Sequence, residues 1–136
     1  MNGLVELSLD KILQTRTYTV VVLKAPEKRF SIYMEPHIGH TLQAFFSHEK
    51  FERPQTFDFL DHTLLGLGLK IIRVVLDDIE ETIFFSKILY QQKGDEIDRL
   101  VEVDARPSDS LIIALRHKAP IYCTEKILEE TIPFED

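Results

Sequence analysis

The chain has 136 residues, 44% hydrophobic and 29% charged, which suits one globular domain with a sizeable core and excludes a disordered or membrane-spanning chain. Its 23 Asp and Glu outweigh 16 Lys and Arg, giving a formal net charge of -7, so the average field repels phosphate polyanions and disfavours a passive nucleic-acid binder. Enzymes that hold divalent cations on clustered carboxylates escape this objection, because the ions invert the local charge. No apolar run approaches the ~18 residues of a membrane span. The N-terminus MNGLVELSLDKIL carries acids where a signal peptide carries basic residues, so no membrane association and a cytoplasmic location are expected.

No internal repeat at solenoid periods, low-complexity tract or flexible linker is evident, and one domain over residues 1–136 is expected. LVELSL from Leu4, TYTVVVLK from Thr17 and RFSIYM from Arg29 read as strands, with Ala25-Pro26-Glu27-Lys28 as a turn between the last two. In IGHTLQAFFSHEKF, Ile38, Leu42, Phe45 and Phe46 share one helical face, and Gly39 is expected to let the chain turn into that helix. A second helix, TFDFLDHTLLGLG, is expected to be capped by Thr56, to bury Leu60, Leu64 and Leu67, and to stop at Gly66 or Gly68. LKIIRVVLDD, TIFFSKILYQQ and RLVEVDA then form an antiparallel meander, since their short connections cannot make parallel crossovers. PSDSLIIALRHK reads as a helix, PIYC as a short strand and TEKILEE as a terminal helix begun by Thr124. The fold class is therefore α+β, a largely antiparallel sheet with two to three packed helices. Whether the first strands close that sheet into a barrel-like form stays open. The single cysteine, Cys123, lies in the apolar run PIYC and reads as a buried small hydrophobe rather than a nucleophile.

The segment VDARPSDS, Val103 to Ser110, concentrates polar groups between an apolar strand and an apolar helix. Pro107 suits the first helical position, where no N–H partner is needed, and Asp109 complements the positive helix end. Arg106 and Asp109 are spaced to pair across that turn. A well-made helix start explains all of this, and a ligand site would use the same residues.

This segment, followed by Ala114-Leu115-Arg116 and Ala119-Pro120-Ile121-Tyr122, closely resembles the signature of the bifunctional nuclease family, whose plant members act in basal defence on DNA and RNA. Ile38-Gly39, Arg53-Pro54 with Thr56 and Asp58, and Arg73-Val74-Val75 fall in the family's order, so the likeness spans roughly residues 3 to 132. The chain departs from the pattern at Phe57, where members usually carry a histidine, and at His40-Thr41-Leu42-Gln43-Ala44, where they usually carry an acid and an alanine; His62 and His40 are the nearby substitutes. Some bacterial relatives continue into a UvrB/UvrC-type interaction segment, and none is expected here after Asp136.

The resemblance implies metal-assisted hydrolysis of phosphodiester bonds in DNA, RNA or both, which needs activated water and charge stabilisation at the phosphoryl oxygens. Asp104, Arg106, Ser108 and Asp109 are the implied catalytic group. Asp104 and Asp109 would share a magnesium or manganese ion, Arg106 would clamp the phosphate, and Ser108 would add a hydroxyl at an anion-suited helix N-terminus. Arg53, Thr56, Asp58 and Arg73 are the implied substrate-binding residues, the first three as a second patch lining the same cleft. Arg73, central in an apolar strand, is expected to pair with an acid such as Asp104 or Asp109.

His37 with His40, and Asp77-Asp78 with Glu80-Glu81, read as surface or turn features rather than metal sites. A competing function is a non-catalytic oligomeric interaction or regulatory domain. The adjacent pairs Phe45-Phe46 and Phe84-Phe85 cannot easily bury both members against one core, so a homodimer or larger assembly is expected. A small-molecule enzyme lacks any supporting motif, with no Gly-rich phosphate loop or nucleophile elbow.

Overall fold

The computed structural model describes residues 3–136. Strand β1 (Leu4–Gln14) leads into β2 (Thr19–Lys24) and β3 (Arg29–Met34), an antiparallel meander whose second turn closes with the Ala25 N–H donating to the Lys28 carbonyl at 2.8 Å. Helices α1 (Pro36–Phe46) and α2 (Thr56–Gly66) follow. A second meander, β4 (Leu69–Glu80), β5 (Ile83–Gln92) and β6 (Arg99–Ala105), then feeds α3 (Pro107–His117), and β7 (Ile121–Thr124) and α4 (Glu125–Glu130) complete the chain.

The chain thus makes two units of one kind, three antiparallel strands and then an X-Pro helix start, although their sequences show no repeat. Both N-caps, Glu35 and Arg106, are extended, with φ/ψ of -64°/147° and -64°/145°, because a residue before proline is driven out of the helical region. The meanders join through β7, giving one seven-stranded sheet in the order β3-β2-β1-β7-β4-β5-β6. β7 pairs antiparallel with β1 and parallel with β4, making the sheet mixed though mostly antiparallel. That insertion was not legible in the sequence, since a four-residue apolar strand carries no sign of its neighbours.

The sheet coils tightly. Phe30 of β3 stacks on Phe84 of β5, ring centroids 6.1 Å apart, although four strands lie between them in the sheet order. The concave face wraps α3, whose Leu111, Ile112, Ile113 and Ala114 are all at most 1% exposed. Four consecutive apolar residues can be buried only where a helix is enclosed on every side, here by the sheet and by α1. Each large side chain so buried contributes roughly 1.5–3 kcal/mol.

Several expectations are corrected. Gly39 lies inside α1 rather than at its entry, and it permits close approach: a Cβ there would sit 1.8 Å from Thr19 Oγ1 on β2. α2 is preceded by Gln55 as N-cap, with Thr56 its first helical residue, because Asp58 reaches back to accept the Gln55 backbone N–H at 2.6 Å. The anticipated apolar face of α2 is not interior either; Leu64 is half-buried, whereas Leu60 and Leu67 are exposed and no residue of the helix is buried. Cys123 is fully buried as expected, and burial pushes its thiol up to about 11.

Candidate functional site

α1 and α3 run side by side in the same direction, so their N-termini meet at one end of the concave face and their C-termini at the other. Glu35 and Ile38 at the start of α1, and Arg106 and Ser108 at the start of α3, line one cleft of about 480 Å³. Phe45 at the end of α1, and Leu115 and Arg116 at the end of α3, line another of similar size.

At the first cleft, strand β6 ends at Ala105 and Pro107 opens α3. The Arg106 guanidinium is held by Asp109, Nε to Oδ2 at 3.0 Å and a terminal nitrogen to Oδ1 at 3.3 Å. Asp109, and secondarily Glu35, raise the guanidinium's pKa further above its ordinary value. Neither helix receives a side-chain hydrogen bond at its N-cap, so the N–H groups of the first turns stay available. Two helix dipoles therefore direct positive ends into a cleft that already holds an arginine. Ser108 is 7% exposed, lines this cleft, and its hydroxyl takes no hydrogen-bond partner among the described residues. The next serine is tied down instead: Ser110 Oγ meets Ser86 Oγ at 2.7 Å, and Ser86 Oγ donates to the Ala105 carbonyl at 2.5 Å.

The other end is a cluster of ion pairs. Arg116 bonds Asp58 at 2.6 Å and Asp61 at 2.5 Å, lies 4.7 Å over the Phe45 ring, and is flanked by His117, whose Nε2 lies 2.8 Å from the second Asp61 oxygen. The Gln55 N–H, helped by Arg116, holds the Asp58 carboxyl below the usual carboxylate range, against an opposing effect of burial. His48, Lys50 and Lys118 stand around the adjoining cleft. The positive charge of Lys50 and Lys118 faces two helix C-termini, where the dipole favours cations, so it is largely offset there.

The structure brings together Arg106, Ser108 and Asp109 but not Asp104. Ser86 opposes Ala105 while Lys87 opposes Asp104, so Asp104 points to the convex face of the sheet and α3 lies on the other. Asp104 faces Lys87 at 3.8 Å, and Lys87 also bonds Asp77 at 3.1 Å. The two carboxylates anticipated to share a magnesium or manganese ion thus have different partners on different faces, a poor fit to one hard cation. No group of three or more metal-binding side chains occurs among the described residues.

Asp58 is engaged by Arg116, not Arg106; ten residues of helix at ~1.5 Å rise separate the two arginines by roughly 15 Å, so the two anticipated patches line different clefts. Thr56 is exposed on α2, and Arg53 is exposed just before it, its carbonyl accepting from Gln55 Nε2 at 3.2 Å. Arg73 is half-buried on β4 opposite Leu89, sharing the convex face with Lys87, while Asp104 and Asp109 are the ion-pair partners of Lys87 and Arg106. Phe57, at the usual histidine position, packs edge-on against Phe45 with centroids 6.1 Å apart, and the imidazole beside Asp61 comes from His117. The sequence reading missed Glu35, Asp61, Arg116 and His117 as site components. The three-residue spacing of Asp58 and Asp61, which sets both on one side of a helix, was the available signal for the second cluster.

Two uncharacterized proteins of Mycobacterium tuberculosis, MT1877 of strain CDC 1551 / Oshkosh and Rv1829 of strain ATCC 25618 / H37Rv, are each 36% identical to this chain over 78 residues. That stretch covers 57% of this chain and 43% of each relative, less than half of their length. The model of the bifunctional nuclease domain matches residues 21–135, a span that includes both meanders' helices and both ends of α3, and the chain belongs to the bifunctional nuclease domain family.

Proposed function

We propose that this domain hydrolyses phosphodiester bonds in DNA or RNA, with the reacting phosphate seated where the N-termini of α1 and α3 converge. The observation that carries this reading is the Ser108 hydroxyl, which takes no hydrogen-bond partner among the described residues and opens into that cleft beside Arg106. With no protein group engaging it, that hydroxyl is free to donate to a phosphate oxygen. The Arg106 fork, held by Asp109, supplies charge to the non-bridging oxygens, and the first-turn N–H groups add fixed donors. Glu35, at the rim within electrostatic reach of Arg106, is the carboxylate placed to take the proton of an attacking water. Membership of the bifunctional nuclease domain family supports the reaction class.

The test is a cleavage assay on single-stranded DNA, duplex DNA and RNA, with and without magnesium or manganese, using protein cleared of contaminating nuclease. Arg106→Ala is expected to slow cutting by roughly 100-fold or more, the usual effect of losing one oxyanion donor. Cutting by wild type that survives in Arg106→Ala but disappears in Asp104→Ala would move the site to the convex face.

A second reading is favoured by α2. Phe59, Leu65 and Leu67 are 70%, 74% and 59% exposed on or just beyond a helix with no buried residue, a surface that suits association between copies in a non-catalytic domain. The adjacent Phe pairs give that reading less support, since Phe45, Phe84 and Phe85 are half-buried within the subunit. A monomeric mass by light scattering at micromolar concentration, together with cleavage, would remove it.

A further inference from the structure

We infer that Ser86 is a positioning residue for the phosphate seat, fixing the direction in which Arg106 leaves the backbone. The inference rests on reading the start of α3 as a phosphodiester site and concerns what aims its arginine. The Arg106 side chain is 66% exposed, so packing does little to orient it; Asp109 holds the guanidinium, and the backbone must set the rest. β6 is an edge strand with β5 as its one neighbour, and it ends at Ala105. The Ser86 hydroxyl, on β5 and fully buried, donates to the Ala105 carbonyl at 2.5 Å, which pins the peptide plane entering Arg106. Ser110, also fully buried, then donates its own hydroxyl proton to Ser86 Oγ at 2.7 Å. Its backbone N–H donates to the Arg106 carbonyl at 3.0 Å and pins the plane leaving Arg106. With both planes held, and the helical region closed to it by Pro107, Arg106 is fixed in its extended conformation.

The first meander carries the same parts at the same register and uses them differently. Thr19 faces Met34 across β2 and β3, two residues before Pro36, as Ser86 faces Ala105 two residues before Pro107. Gly39 and Ser110 each lie three residues past their proline, and each meets that hydroxyl-bearing residue. Thr19, fully buried like Ser86, directs its hydroxyl instead to Gln14 Oε1 at 2.6 Å, and Gly39 offers it no side chain. Among the described residues, no side-chain hydrogen bond therefore ties the strand end before Glu35. The same arrangement closes without the link in one unit and has it in the other, where a cation faces the cleft. Such a cation must be aimed, since a misplacement of ~1 Å can cost about 100-fold in rate.

The experiment measures, by amide NMR on the full chain, the affinity for a hydrolysis-resistant phosphorothioate dinucleotide. It compares wild type, Ser86→Ala, Arg106→Ala, the double variant and Ile112→Val, the last a fully buried change on α3 that removes no hydrogen bond, all well below their melting temperatures. Ser86→Ala should bind roughly 10-fold or more weaker than wild type, the loss expected from misdirecting one charge-assisted hydrogen bond. Ile112→Val should stay within about two-fold of wild type, and adding Ser86→Ala to Arg106→Ala should change affinity by no more than about two-fold, because the effect runs through the arginine. Ser86→Cys, which fills the same space but is only a weak donor, is the second variant should Ser86→Ala not fold, with a loss expected in the same direction. Undiminished affinity in a folded Ser86 variant, an equal loss in Ile112→Val, or a full loss that persists without Arg106 would each overturn the inference. No binding by wild type would remove the phosphate seat and this inference with it, whereas binding that ignores Ser86 would leave the seat and remove the inference alone.

Discussion

Replacing Arg116 by methionine tests whether the ion cluster at the end of α3 holds α2 in place. α2 buries no residue completely and reaches α3 through Asp58 and Asp61, so little apolar area replaces what the arginine provides. The side chains of Arg116 and Asp61 are 15% and 11% exposed, and that of Asp58 is 26% exposed. Removing one partner of a fully buried pair costs ~3–5 kcal/mol; partial exposure reduces this, and the lost contact with Phe45 adds up to about 1 kcal/mol, for a net ~2–4 kcal/mol. At roughly 3–4 °C per kcal/mol for a domain of this size, Tm should fall by about 6–16 °C in calorimetry at pH 7. The pH dependence has a definite sign. Asp58 is held below its unfolded value by the Gln55 N–H and by Arg116, so its contribution is present above about pH 4 and lost as pH falls through the folded pKa. The gap between wild type and Arg116→Met should therefore narrow below about pH 4. A Tm within 2 °C of wild type at pH 7 would refute the reasoning, because it would mean that α2 is held by something other than these charges.

Gly39→Ala places a methyl 1.8 Å from Thr19 Oγ1 in a fully buried site, so a loss of about 1–3 kcal/mol or more is expected in urea denaturation, partly restored by adding Thr19→Gly. Ser86→Ala strands both Ser110 Oγ and the Ala105 carbonyl, whereas Ser110→Ala leaves Ser86 bonded to that carbonyl; the first should cost ~1–3 kcal/mol and the second no more than ~1 kcal/mol in the same assay. Cys123, buried with a thiol raised to about 11, should resist a thiol-reactive dye at pH 8 in the native protein and react once the protein is unfolded in guanidinium.

Elements with strong local signals were legible in the sequence. The RFSIYM strand, the Pro107 helix start and the Arg106–Asp109 pair fall where alternation, proline geometry and spacing put them. What escaped was set by distant partners. Gly39 reads locally as a turn residue, yet its role depends on Thr19 of another strand. Asp104 and Asp109 lie five positions apart and look like one site, but strand alternation and the passage into α3 send them to different faces. Glu35 became a candidate only because α1 and α3 are parallel neighbours, a relation that no local pattern encodes.

The most direct test of the phosphate seat is an amide NMR titration of the full chain with a hydrolysis-resistant phosphorothioate dinucleotide. The first-turn amides of α1 and α3, His37, Ile38, Ser108 and Asp109, should shift together and saturate with one affinity, and Ser108→Ala should weaken it. Shifts confined instead to the cleft around His48, Lys50 and Lys118, with the first-turn amides unmoved, would contradict the assignment and place the anion at the opposite end of α3.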